Sequence, residues 1–175
     1  MEGVSFVFDN GPKIKLYSEF FAEDESDYIE KSKKLKDVVI IGGYATDKIY
    51  AVAVRNGKVI DRRGKVILTK WDREHYKADK EIKIFDIDGF RILPLICFEI
   101  VASNFWKNVN DDIDLICHLV GTKMYNKNQY ERWMNFQKDA SRFFEAPLIC
   151  AVGKSSGIDI SGRIDISRRG DFAKV

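Results

Sequence analysis

Residues 90–100 read FRILPLICFEI, an apolar run of strand length with Cys97 near its end. Phe90, Ile92, Leu93, Leu95 and Ile96 show no polar alternation, which predicts a strand covered on both faces in the middle of a layered sheet. The Asp88-Gly89 pair upstream is a turn signal. From Val101 the pattern loosens into SNFWKNVN, which predicts a short helix whose first turn begins near Cys97. A thiol at such a corner lies near unpaired N–H groups and the positive end of a helix dipole, and both favour the nucleophilic thiolate. Cys97 also reads as an ordinary core cysteine, so the decision falls to the rest of the chain.

Around that strand, 175 residues with 45% hydrophobic content predict one domain spanning 1–175 with its own core. The 29 basic and 27 acidic residues nearly cancel and are scattered, so no nucleic-acid partner is expected. No apolar run is long enough to span a bilayer, and the N-terminus lacks the order of a signal peptide, so no membrane partner is expected. Three cysteines in apolar surroundings make no disulfide framework and fit a reducing cytoplasm. Neither CxxC nor HxxxH spacing occurs, and the glycine pairs form neither GxGxxG nor a Walker loop. No metal and no cofactor are expected.

Taken in order, Val4 to Phe8 and Ile14 to Tyr17 read as strands around an Asp9-Asn10-Gly11-Pro12 turn, and Asp24 to Lys36 as an amphipathic helix. Val38 to Ile41 reads as a buried strand closed by Gly42-Gly43. Ile49 to Arg55 and Lys58 to Asp61 form a hairpin through Asn56-Gly57. Arg62-Arg63-Gly64 is expected to turn into a further strand, Val66 to Lys70, followed by a loop in WDREHYKADKE. Ile82 to Ile87, Asp114 to Leu119, Leu148 to Val152, Ile158 to Ile160 and Arg163 to Ile166 are the remaining strands. Gln129 to Ala146 is a long helix ended by Pro147. The class is α/β.

Three residues stand at the ends of apolar strands, where sheet-based sites collect their side chains. Glu19 lies between a strand and Phe20-Phe21, where burial raises a carboxyl pKa toward the range of a general base or acid. Lys70 follows VILT, either snorkelling to the surface or standing as a fixed cation in a cleft. Cys97 is the third. Cys117 and His118 are adjacent on a strand and point to opposite faces, so they cannot form a direct pair. A papain-like arrangement of Cys97 with His75 or His118 has no motif behind it.

In this order, Glu19, Lys70 and Cys97 resemble the Glu–Lys–Cys triad of the nitrilase (carbon–nitrogen hydrolase) superfamily. LYSEFFAED resembles the family's glutamate strand, RNGKVIDRRGKVILTKWDRE its hairpin leading to the lysine, and PLICFEI its cysteine strand. DIDLICHLVG, SRFFEAPLICAVGKSSG and SGRIDISRRGD are similar to its remaining strand, helix end and closing hairpin. The resemblance implies an αββα sandwich of mixed β-sheets with covering helices. It also implies hydrolysis of a non-peptide carbon–nitrogen bond, in an amide ahead of a nitrile, through a cysteine thioester.

By that resemblance Cys97 is the nucleophile and Glu19 the base, while Lys70 and the Phe98 N–H hold the oxyanion. Glu74 or Glu81 supplies a second glutamate. A homo-oligomer is implied, with the aromatic side of Ser103 to Trp106 as a contact or as core. The sequence departs from the family at Ser18, where proline is usual, and at Trp71-Asp72, where His-Leu is usual. The Phe-Pro-Glu after the cysteine motif is absent, and the chain reads as shortened at both ends. Those departures leave a second expectation, an inactive binding or regulatory module on the same fold.

Overall fold

The computed structural model describes residues 3–153, 157–166 and 172–174, and in it two mixed sheets lie face to face with helices on their outer sides. The first sheet holds β1 (Val4–Val7), β2 (Lys13–Leu16), β3 (Val38–Ala45), β4 (Ile49–Arg55) and β5 (Lys58–Gly64), in that spatial order. Helix α1 (Glu25–Lys33) joins β2 to its parallel neighbour β3. Its start is fixed by Asp24, whose carboxylate accepts from the Ser26 N–H at 2.7 Å. Asn56 and Gly57 both take positive φ, 51° and 78°, as the two-residue hairpin between β4 and β5 requires.

Helix α2 (Lys70–His75) follows β5. The second sheet then begins with β6 (Phe85–Ile87) and β7 (Phe90–Ile96). A 3-10 turn (Cys97–Val101) and the short α3 (Ser103–Trp106) lead to β8 (Leu115–Val120). After α4 (Lys127–Phe144) come β9 (Leu148–Val152), β10 (Gly162–Ile166) and β11 (Phe172–Lys174). Sheet order is β11-β10-β9-β8-β7-β6, with β7, β8 and β9 parallel.

Strand β7 is covered on both faces, as its unbroken apolarity predicts. Ile92 and Ile96 point between the sheets toward Ile41 and Ala51, while Leu93 and Leu95 point outward into the layer under α4. On the far side, the fully buried Tyr28 seats α1 against Ile40, Val52 and Val54. The result is helix, sheet, sheet, helix.

Several boundaries differ from the sequence reading. Strand β3 runs through Gly42-Gly43 rather than stopping there, both residues pairing with β4, and they are glycines because a side chain at Gly42 would collide with the Tyr28 ring and one at Gly43 with the Glu19 backbone. Val66 to Lys70 is not a strand. Thr69 and Asp72 cap a helix instead, the Asp72 N–H donating to Thr69 Oγ1 at 3.1 Å and the Thr69 N–H to Asp72 Oδ2 at 2.9 Å. The strand expected over Ile82 to Ile87 begins only at Phe85, and Ile158 makes a single bridge to Met124. Trp106 is fully buried against Phe143 and Phe144, so the aromatic face of α3 is core. Residues 154–156 and 167–171 of the expected helix end and closing hairpin lie outside the described residues. No helix among the described residues is long and apolar enough to cross a membrane.

Candidate active site

The C-terminal ends of β2, β5, β7 and β8 deliver Glu19, Lys65, Cys97 and Gly121 to one place between the sheets. Glu19 is held from behind by β3, where the Gly43 N–H donates to the Ser18 carbonyl at 3.1 Å. Its carboxylate is buried, 2.6 Å from Lys65 Nζ, and lies close enough to Cys97 for the two groups to shift each other's pKa. The Gly121 N–H lies near the Cys97 sulfur and favours its thiolate, against the larger effect of burial. Gly121 must lack a side chain, since a Cβ there would lie 2.5 Å from Glu19 Oε2 and 2.8 Å from the Phe20 ring.

Lys65 extends the β4–β5 pairing by one residue, its N–H donating to the Ile49 carbonyl at 2.7 Å. That registry turns the side chain inward, where it is 1% exposed. Its ammonium bridges two carboxylates, Glu19 and, at 2.9 Å, Asp72. Burial works against this charge, but Glu19, Cys97 and Asp72 outweigh it and hold the lysine above its ordinary value. Burial likewise pushes Asp72 upward, yet Lys65 and the Thr69 N–H prevail and keep its carboxyl below the usual range. Glu19 goes the other way. Burial raises its pKa, and neither Lys65 nor the thiol cancels the rise. The site therefore holds one ammonium between two buried carboxylates whose pKa values are pushed in opposite directions.

Cys97 sits at φ 49°, a left-handed conformation that costs a non-glycine residue about 1–3 kcal/mol. The surroundings impose it. Glu99, two residues on, accepts from the Ile96 N–H at 2.8 Å and the Val66 N–H at 2.7 Å. It also forms a buried ion pair with Arg63, whose remaining donors reach the Pro94 and Gly64 carbonyls. This clamp fastens the end of β5, next to Lys65, to the corner that carries Cys97. Sequence reading expected the corner's helix dipole to favour a thiolate. Burial and the negative charge of Glu19 instead push the Cys97 thiol up, so the resting sulfur keeps its proton.

No protein-family profile matches the chain, and no curated protein matches it. Solved structures do match. A CN-hydrolase superfamily protein from Xanthomonas campestris with an arsenic adduct in its active site gives a TM-score of 0.70 at 14% identity, over 93% of this chain and 73% of its own. A carbon–nitrogen hydrolase from Helicobacter pylori G27 gives 0.68 at 14% identity, over 93% and 72%. The fold is that of the carbon–nitrogen hydrolases. A glutamine-dependent NAD+ synthetase from Acinetobacter baumannii carries the same fold, with a TM-score of 0.70 at 13% identity. The chain covers 36% of that synthetase, about a third of its length.

On this carbon–nitrogen hydrolase fold, Glu19 and Cys97 meet as their strand-end positions suggest, but Lys70 does not join them. It is the first residue of α2 and its side chain is exposed, because the Thr69 cap turns the chain before it can extend. Lys65 stands at the site in its place. Glu74 and Glu81 are both exposed, and the second carboxylate at Lys65 belongs to Asp72. Phe98 exposes its ring, while its N–H belongs to the first turn of the 3-10 helix, where backbone donors have no partner within the helix. His75 is on the surface with Nδ1 2.8 Å from the Trp71 carbonyl. His118 reaches the backbone of Cys97 rather than its sulfur, so no papain-like pair forms. Lys65, Asp72, Arg63, Glu99 and Gly121 were all missed. The spacing Thr69-x-x-Asp72 was a legible signal that a helix begins at Lys70.

Proposed function

We propose that the protein is a thiol hydrolase that cleaves the carbon–nitrogen bond of a small amide through a Cys97 thioester. The observation that carries this reading is the meeting of the Cys97 thiol with the Glu19 carboxyl, itself paired to Lys65. Glu19 takes the thiol proton as sulfur attacks the carbonyl carbon, and the raised Glu19 pKa suits it to receive that proton. Lys65 and the Phe98 N–H are the donors for the oxyanion. Glu19 returns the proton to nitrogen, the C–N bond breaks, and ammonia or an amine departs. Water then attacks the thioester with Glu19 again as base, releasing the acid and restoring the thiol. These steps close without a metal or organic cofactor.

An amide is favoured over a nitrile because the single proton Glu19 takes from the thiol suffices to release its nitrogen, whereas a nitrile first forms a thioimidate that must add a further water. Amidases from Nesterenkonia with this fold, one carrying an acrylamide adduct at its active-site cysteine, lend the reading support. The test is ammonia release from a panel of small aliphatic amides and nitriles, with Cys97→Ala as control. Release by the parent protein that vanishes in the variant is expected. Equal release from both, or from neither, counts against the proposal.

A further inference from the structure

We infer that His118 is a positioning residue for the nucleophile, holding the Cys97 carbonyl so that the left-handed backbone presents the thiol to Glu19. The inference rests on the hydrolase reading above. His118 is fully buried on β8, with Nε2 3.0 Å from the Cys97 carbonyl oxygen. A carbonyl only accepts, so Nε2 must carry the hydrogen. The opposite nitrogen is specified as well. Gln137 on α4 donates its side-chain amide to Nδ1 at 2.9 Å, which fixes that nitrogen as an acceptor. Cys150 Sγ lies 3.7 Å from the same atom, and the Trp133 ring stacks on the imidazole at 5.6 Å with the planes 16° apart. Burial lowers the His118 pKa to about 4, so the ring is neutral near pH 7.

The arrangement has one consequence for chemistry. The Cys97 carbonyl belongs to the residue that bears the strained φ, and its peptide carries the Phe98 N–H assigned to the oxyanion. Gripping this carbonyl therefore orients both the thiol and that donor. The imidazole contacts Cys97 through the backbone carbonyl and acts on the sulfur only by placing that backbone. The proton they share stays where it is throughout.

The test uses p-nitrophenyl acetate, whose burst of p-nitrophenolate reports transfer of the acetyl group to Cys97 regardless of the natural amide. His118→Phe keeps the flat ring against Trp133 and loses the hydrogen bond. It should slow acylation about tenfold to a hundredfold with half-saturation unchanged, since a small misplacement of the nucleophile acts on the chemical step. His118→Gln, whose amide can donate from the position of Nε2, should recover most of the rate. A parent protein without a burst that depends on Cys97 sinks the hydrolase reading and this inference together. A parental burst with His118→Phe acylating at the parental rate, or a slow His118→Phe that His118→Gln does not rescue, overturns this inference alone. Should His118→Phe fail to fold, long-range proton–nitrogen spectroscopy of the parent protein decides. A proton on Nε2 is expected, and a proton on Nδ1 overturns the inference.

Discussion

Two buried cations stand two residues apart at the end of β5, and they have opposite fates. Arg63 spends its guanidinium donors on Glu99, Pro94 and Gly64 in a closed, fully satisfied clamp. Lys65 places one ammonium between Glu19 and Asp72, and Glu19 in turn lies beside the Cys97 thiol. A guanidinium is always charged, planar and rich in donors, so it serves as a fastener. An ammonium is a point charge, and here it is shared by two carboxylates, one held below its usual pKa and the other raised by burial. Alternate residues at a strand end thus become a scaffold and, on the proposed mechanism, a reaction centre. What separates them is the number of protons that can move.

Breaking each half should give different damage. Lys65→Met is expected to cut Cys97 acylation by about a hundredfold to ten-thousandfold, beyond what its loss of a buried ion pair does to stability, because a base–oxyanion partner is lost. Acylation by p-nitrophenyl acetate measures it, and near-parental activity would remove Lys65 from the mechanism. Arg63→Leu should instead act on stability, costing about 3–5 kcal/mol by leaving Glu99 buried without its cation. Urea denaturation reads this loss, and an unchanged midpoint would mean that the clamp is dispensable. Gly121→Ala sharpens the contrast from a third side. Its new methyl group must displace the Glu19 carboxylate, so acylation should fall by about tenfold or more with the fold retained.

The pH dependence offers a subtler separation. Glu19 acts as base only when ionised, and burial raises its pKa, so the acid limb of acylation should lie above the ordinary value of 4.5. Asp72 adds to that rise by like-charge repulsion. Asp72→Asn should therefore move the limb toward lower pH, and a shift to higher pH would contradict the assignment. For stability the sign is reversed between the two carboxylates. The contribution of Glu19 is full below 4.5 and fades as pH rises through its folded pKa, whereas that of Asp72 is present above 3.8 and lost as pH falls through its lowered folded pKa. The smallest effect belongs to Lys70→Met, a surface change expected within about 0.5 kcal/mol of the parent and without effect on acylation. A large loss there would restore the sequence-based assignment over Lys65.

Cys97 and Glu19 were legible because each ends an apolar strand, and strand ends can be read from local pattern. Lysine was not, because VILT looks like a strand and places Lys70 at its end, while Gly64 looks like a turn that leaves Lys65 outside. The helix cap at Thr69-x-x-Asp72 carried the correction, but the apolarity of Val66 to Leu68 is the louder signal. Asp72 sits in the same capping box, so its approach to Lys65 follows from the helix that the sequence reading passed over. Glu74 and Glu81 are the right chemical type on the wrong faces.

Local pattern was enough for the elements: an unbroken apolar β7, an amphipathic α4, an Asn-Gly hairpin and a cysteine at a strand-to-turn corner. These depend on periodicity and turn chemistry, which act over a few neighbours. Long-range packing set which lysine faces Glu19, that Arg63 belongs to Glu99, and that His118 hydrogen-bonds the backbone of Cys97 across 21 positions of chain. Such pairings depend on how strands register across a sheet and how two sheets meet. A shift of one residue along a strand reverses the face a side chain occupies, and no local pattern around Lys65 or Lys70 records that choice.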